Sequence, residues 1–199
     1  MIRNKTDYIV HPYNVFIALL LSGITIAFFG LSLAYLYSRI QGNIPPVELP
    51  PLFYFNCLLL IGSSWTLVYA KKSYKEDDTP RYKTFLLWTL VLTTLFILMQ
   101  IIAWRQLFDN QIPLQHSTTA SFLYVVSGLH FLHVFAGIPF LALFYWKARK
   151  KLVEPVSVLV YFSDPDKRRT LNILTVYWHF LDVLWIYLVV FFGINYLLS

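Results

Sequence analysis

The sequence predicts an all-α polytopic membrane protein, one transmembrane domain over residues 1–199 built as a bundle of five helices, and three observations carry that prediction. Of 199 residues, 58% are hydrophobic, 19% aromatic and only 13% charged, about half the charge of a soluble domain. Five apolar runs are each long enough to cross a hydrocarbon core of about 30 Å, which takes roughly 20 residues. The lysines and arginines fall between those runs, and almost all of them on alternate connections.

Taken in order, the first run lies near residues 13–37. It follows only a few polar residues, is too long for a signal peptide and lacks a small-x-small cleavage site, so it reads as a spanning helix. Gly23, Ala27, Gly30 and Ala34, spaced 4, 3 and 4, make a stripe of small residues down one face. In lipid such a stripe lets a neighbouring helix approach closely, which predicts tight contact with a helix of this chain or of a partner subunit. The second run, near 51–70, puts Asn56, Ser63 and Thr66 on a shared face. The third, near 84–104, does the same with Thr89, Thr93 and Gln100.

The fourth run, near 118–146, carries Ser127, His130, His133 and Gly137 as one stripe. The segment 147–169 holds Pro155 and Asp164-Pro165 and reads as a surface loop. The fifth run, near 170–198, carries Asn172, Thr175, His179 and Asp182 at spacings of 3, 4 and 3, again one face of a helix.

One side of the predicted membrane holds Arg3, Lys5, Lys71, Lys72, Lys75, Arg81, Lys83, Lys147, Arg149, Lys150, Lys151, Lys167, Arg168 and Arg169, and the other only Arg39 and Arg105. The positive-inside rule therefore puts the N-terminus in the cytoplasm and the C-terminus outside. The same rule accounts for the net charge of +6, so a nucleic-acid partner is discounted. A single cysteine, Cys57, excludes an internal disulfide, a Cys-x-x-Cys redox pair and a Cys-x-x-Cys-His haem attachment.

Asp182 sits deep in the fifth run. An Asp at the centre of a spanning helix costs roughly 3 kcal/mol on insertion scales, so it should face protein and hold a partner. Counted at about 1.5 Å per residue, His179 and Asp182 fall within about two turns of His130 and His133, and an Asp-to-His hydrogen bond between the fourth and fifth helices is the expected pairing. His130, His133, His179 and Asp182 could in principle supply four ligands to a divalent metal. The plainer alternative is that Asn172, Thr175 and these four form a buried polar network that pins the two helices together. A di-haem protein would need a second histidine set at the other face, which the sequence lacks.

Tyr177-Trp178-His179-Phe180-Leu181-Asp182-Val183-Leu184-Trp185 resembles the motif of the last helix of subunit III of haem-copper oxidases, the cytochrome c oxidase family. Gly128-Leu129-His130-Phe131-Leu132-His133-Val134-Phe135-Ala136-Gly137 is similar to that family's Gly-Phe-His-Gly-Leu-His-Val-x-x-Gly. Glu48-Leu49-Pro50, Asn56, Ser63-Ser64, Thr66 and Gln100 match its upstream helices in order. Two departures stand out. Ser22-Gly23 replaces a Ser-Glu or Ser-Asp pair, and Ala103 stands where the family often has the Glu of Gln-x-x-Glu, so no role of those carboxylates carries over. The two extra N-terminal helices of seven-helix members have no counterpart, which makes this sequence resemble the five-helix bacterial form.

The resemblance implies a non-catalytic subunit of a proton-pumping terminal oxidase in the bacterial inner (cytoplasmic) membrane. Such a subunit packs on subunit I, accompanies subunit II, binds phospholipid and protects the catalytic subunit during turnover. It carries no cofactor itself; haems and copper belong to partner subunits. Lys147, Arg149, Lys150 and Lys151 could hold anionic headgroups, or be ordinary positive-inside charge. Two other functions remain open: a subunit III homologue of a quinol oxidase or nitric oxide reductase complex, and a stand-alone proton-coupled transporter. The last would call for Gly- or Pro-broken helices or inverted repeats at mid-membrane, and none is read.

Overall fold

The computed structural model describes residues 12–198; Arg3, Lys5 and His11 lie outside them. Among the described residues six helices form: α1 (Pro12–Gly42), α2 (Pro51–Lys75), α3 (Thr79–Asp109), α4 (Thr118–Lys151), α5 (Pro155–Ser163) and α6 (Pro165–Leu197). All but α5 are long and apolar enough to cross a membrane. The chain is all-helical among the described residues.

The helices outrun the apolar stretches. α3 begins at Thr79 rather than near 84 and ends at Asp109 rather than near 104, and α4 continues to Lys151. Apolarity reports where the bilayer is, whereas charged residues such as Lys and Arg are good helix formers in water. Side-chain caps then fix the ends: Arg81 N donates to Asp78 Oδ1 at 3.0 Å, and Ala120 N to Ser117 Oγ at 3.1 Å. Each cap satisfies an amide that the first helical turn leaves without a backbone acceptor.

The expected surface loop at 147–169 instead contains α5. Proline at its first position is preset for a helical start, and Asp164-Pro165 ends it, because the residue before proline avoids the helical region. The helix lies across the basic end of the molecule. Tyr161, almost fully buried, packs beside Tyr74 and Tyr82, and Tyr74 Oη donates to its carbonyl at 3.1 Å. Lys83 Nζ donates to Leu152 O at 2.8 Å. Together these contacts tie the α2–α3 turn to the end of α4.

α2 and α3 form a long antiparallel hairpin around a tight turn in which Asp77 takes a φ of 55°. α4 packs on α3, and α6 packs on both α2 and α4, which closes a four-helix bundle. α1 lies against α4 and α6. At the centre, Trp185 stacks on Phe53 at 5.4 Å, meets the edge of Phe96 at 5.3 Å and lies 4.9 Å from the His130 ring. Pro139 falls inside α4, which stays helical through it. Spanning helices accept proline because neighbours and local adjustment re-satisfy the freed backbone groups.

Candidate functional site

The polar residues within the spans form a seam through the bundle, and antiparallel geometry explains half of it. Residues equally far from the α2–α3 turn face one another. Asn56 Nδ2 donates to Gln100 Oε1 at 2.8 Å, Ser63 and Thr93 hydroxyls meet at 3.1 Å, and Thr66 and Thr89 hydroxyls meet at 2.9 Å. The two polar faces read from the sequence thus become three rungs of one ladder. Asn56, Ser63, Thr89, Thr93 and Gln100 are all fully buried.

α6 supplies the rest. Its buried face carries Thr175, Trp178, Asp182 and Trp185, with His179 at the edge. His179 Nδ1 is hydrogen-bonded to the Ser64 hydroxyl of α2, which also faces the Asp182 carboxyl. His130 Nε2 donates to Leu181 O at 3.0 Å, and His133 Nδ1 donates to Leu129 O of its own helix at 2.7 Å. The expected Asp-to-His bond between α4 and α6 is therefore not the one that forms. The sequence places His130 and Asp182 within about two turns of each other in depth, but the rotation of α6 turns Leu181's carbonyl toward α4 and Asp182 toward α2.

The same rotation separates the four candidate metal ligands. His130 points at α6, His179 at α2, and the His133 ring lies 6.0 Å from Phe28 of α1. Among the described residues no group of three or more His, Cys, Asp or Glu is placed to hold a metal ion. Thr175 Oγ1 donates to Leu171 O at 2.7 Å within α6. Asn172 does not join the seam; it lines a surface cavity with Asn14 of α1 and Arg168 and Arg169. Asp182 Oδ2, His130 Nδ1, Asn56 Oδ1 and Gln100 Nε2 are buried without a partner among the described residues.

Residues absent from the sequence-derived site complete the contacts between helices. Trp185 Nε1 donates to Phe53 O at 3.4 Å, Trp104 Nε1 to Ser127 Oγ at 3.0 Å and Tyr177 Oη to His133 O at 2.9 Å. Tyr187 Oη donates to Ser32 Oγ at 2.9 Å, and Arg39 Nη1 to Asn195 Oδ1 at 2.8 Å, which fasten α6 to α1. The available signal was the density of Trp and Tyr in α6, residues that find a hydrogen-bond partner when buried. Gly137 lets α4 approach α6: a Cβ there would lie 2.7 Å from the Trp178 ring.

The small-residue stripe of α1 does not serve this chain's own packing. Gly23, Ala27, Gly30 and Ala34 are all exposed, and nothing lies within 4 Å of a Cβ built on Gly23 or Gly30. α1 packs instead through Ile24, Phe28, Ser32 and Tyr35. Of the two contacts the stripe predicts, the one within the chain is excluded. Ala103, by contrast, is fully buried on α3, so the family carboxylate absent there would point into the bundle. Lys147, Arg149, Lys150 and Lys151 occupy the last turns of α4, where Lys150 Nζ sits 4.0 Å above the Trp146 ring.

Compared with known proteins, residues 13–196 match the family described as Cytochrome c oxidase subunit III. A cytochrome c oxidase subunit 3 of Thermostichus vulcanus is 29% identical over 168 residues, 82% of this chain and 78% of that protein. The protein of that name from Synechocystis is 27% identical over 166 residues, 81% of this chain and 66% of the relative. That of Pelomedusa subrufa is 29% identical over 153 residues, 74% of this chain and 54% of the relative. The chain spans about half the length of the Pelomedusa subrufa and Papio hamadryas relatives it matches.

Proposed function

The chain belongs to the cytochrome c oxidase subunit III family, and on that footing we propose that it is a non-catalytic subunit of a proton-pumping respiratory terminal oxidase. In this reading it reduces no oxygen itself. It packs against subunit I in a complex that includes subunit II, steadies the catalytic subunit during turnover and holds phospholipid, while haems and copper reside in the partner subunits. The basic ends of the helices face the cytoplasm of a bacterial cell and the complex lies in its cytoplasmic membrane. The one-domain bundle serves as scaffold.

The observation that carries this reading is where the polar side chains point. His130 is directed at a backbone carbonyl of α6, His179 at a hydroxyl of α2, and Asn56, Ser63 and Thr66 at their counterparts on α3. Such bonds hold helices together in lipid. The open small-residue face of α1 supports docking of a helix from another subunit, since close approach there would cost no rearrangement.

The test is to tag the chain, purify it from its native membrane in mild detergent, and measure haem, copper and oxygen uptake. Haem and copper together with uptake driven by reduced cytochrome c are expected. Activity with quinol alone, or with nitric oxide alone, would move the chain to a related complex. A haem-free chain purified by itself would overturn the reading.

A further inference from the structure

From the polar atoms left unpaired at the centre of the bundle we propose a binding site for one water molecule, held between Asn56 of α2, Gln100 of α3 and His130 of α4. All three side chains are fully buried. Gln100 Nε2, Asn56 Oδ1 and His130 Nδ1 have no hydrogen-bond partner among the described residues, whereas nearly all buried polar groups in folded proteins are paired with protein or with ordered water. A single bond, Asn56 Nδ2 to Gln100 Oε1 at 2.8 Å, joins the two amides. It leaves a donor free on one and an acceptor free on the other, whichever way round the pair is set. His130 donates through Nε2 to Leu181 O at 3.0 Å, because a carbonyl can only accept. In the neutral ring Nδ1 is then an acceptor.

The surrounding contacts bring these groups to one level of the bundle. Phe96, one turn before Gln100 on α3, lies 5.8 Å from the His130 ring. Trp104, one turn after Gln100, donates to Ser127 Oγ at 3.0 Å, and Ser127 stands one turn before His130 on α4. Gln100 is thus bracketed opposite the turn of α4 that carries His130. On the α6 side the Trp185 ring lies 4.9 Å from His130 and 5.4 Å from Phe53, which is one turn before Asn56. The bond to Leu181 O and the packing of Trp185 and Phe96 oppose any turning of the His130 ring toward Gln100, while Gln100 is anchored to Asn56. A water that accepts from Gln100 Nε2 and donates to Asn56 Oδ1 and His130 Nδ1 pairs all three atoms at once, and three bonds are typical of a buried water. The three groups are uncharged, which suits water rather than an ion. The water extends the α2–α3 ladder to α4 and, through His130 and Leu181, to α6, whichever complex the chain serves.

The experiment determines the structure of the purified complex at a resolution that shows ordered water, and records solid-state nitrogen NMR of the complex with isotope-labelled histidine, His130→Phe identifying the His130 resonances. A single density peak about 2.7–3.2 Å from each of Gln100, Asn56 and His130 is expected. The Nδ1 resonance is expected at the position of a lone pair that accepts a hydrogen bond. Gln100→Leu removes the donor and is expected to abolish the peak and shift Nδ1 to the position of a free lone pair, with the bond to Leu181 O intact. That shift separates a bridging water from a purely steric role of Gln100. A parent complex with no peak and a free Nδ1 would overturn the site, and so would a direct bond from Gln100 to His130. A peak and resonance unchanged in Gln100→Leu would overturn the bridge. If that variant fails to assemble, the density and the Nδ1 position of the parent decide the matter by themselves.

Discussion

Replacing Gly137 by alanine adds one methyl group at the closest approach of α4 to α6. That methyl would lie 2.7 Å from Trp178 Cζ3, 3.1 Å from Cη2 and 3.2 Å from Tyr177 Cε1, whereas carbon atoms settle at about 3.5–4.0 Å. Neither ring has room to yield. Trp178 is 1% exposed, and Tyr177 is held by its 2.9 Å bond to His133 O. Forcing extra carbon into a packed site costs about 1–3 kcal/mol, partly offset by up to about 1 kcal/mol from the better helix propensity of alanine. The net expectation is a loss of about 1–2 kcal/mol, or several degrees in thermal unfolding at about 2–4 °C per kcal/mol. Trp178→Phe removes the ring carbons that collide but leaves a gap, so alone it is also destabilising. Combined with Gly137→Ala it should cost less than the sum, because the methyl occupies the space the indole vacates. Thermal unfolding of the purified complex, followed for the four members of the cycle, reads this directly. Strict additivity, or an alanine variant more stable than the parent, would falsify the close-contact argument.

In the α2–α3 ladder, Asn56→Leu alone leaves Gln100 without its partner and should cost about 1–3 kcal/mol, while Asn56→Leu with Gln100→Leu should recover part of the loss; a double variant as unstable as the sum would count against the rung. Gly23→Leu should leave the helicity and thermal stability of the chain unchanged while lowering the amount of chain recovered with haem, since the residue meets open space within this fold; equal recovery would remove the docking role of that face. Asp164 caps α6 through Asp166 N at 3.0 Å, and its bond to Lys167 holds its carboxyl below the usual carboxylate range, the backbone bonds adding to the effect. A depressed carboxylate contributes stability above its unfolded pKa of about 3.9 that is lost as pH falls through the lower folded value. Below about pH 4 the parent should therefore lose stability that Asp164→Asn, already without the charge, does not lose; parallel melting curves for the two would contradict the assignment.

Which stretches form helices long and apolar enough to cross a membrane was legible in the sequence, because a core of about 30 Å selects for length and apolarity alone. So were the polar faces of α2 and α3, and a short antiparallel connection dictates that Asn56 meets Gln100 and Ser63 meets Thr93. Rotation was less legible. A stripe fixes which residues share a face but not where that face points, so Asp182 turned to α2 while His130 took a backbone carbonyl instead. On α1 two stripes compete, small residues on one side and Ile24, Phe28, Ser32 and Tyr35 on another. Large side chains gain more dispersion contact within a single chain, and the small stripe was left open. α5 escaped notice because nine residues between prolines carry too little periodicity to separate a helix from a loop.

The most direct test of the account removes this chain from the assembled oxidase, by gentle extraction or by deleting its coding sequence, and follows oxygen uptake from the first turnovers onward. A subunit that serves as scaffold predicts a haem spectrum and initial rate close to those of the intact complex, followed by a shorter active lifetime that returns to normal when the chain is restored. Loss of the haem spectrum's native form or of the initial rate, in a complex whose other subunits remain assembled, would contradict it.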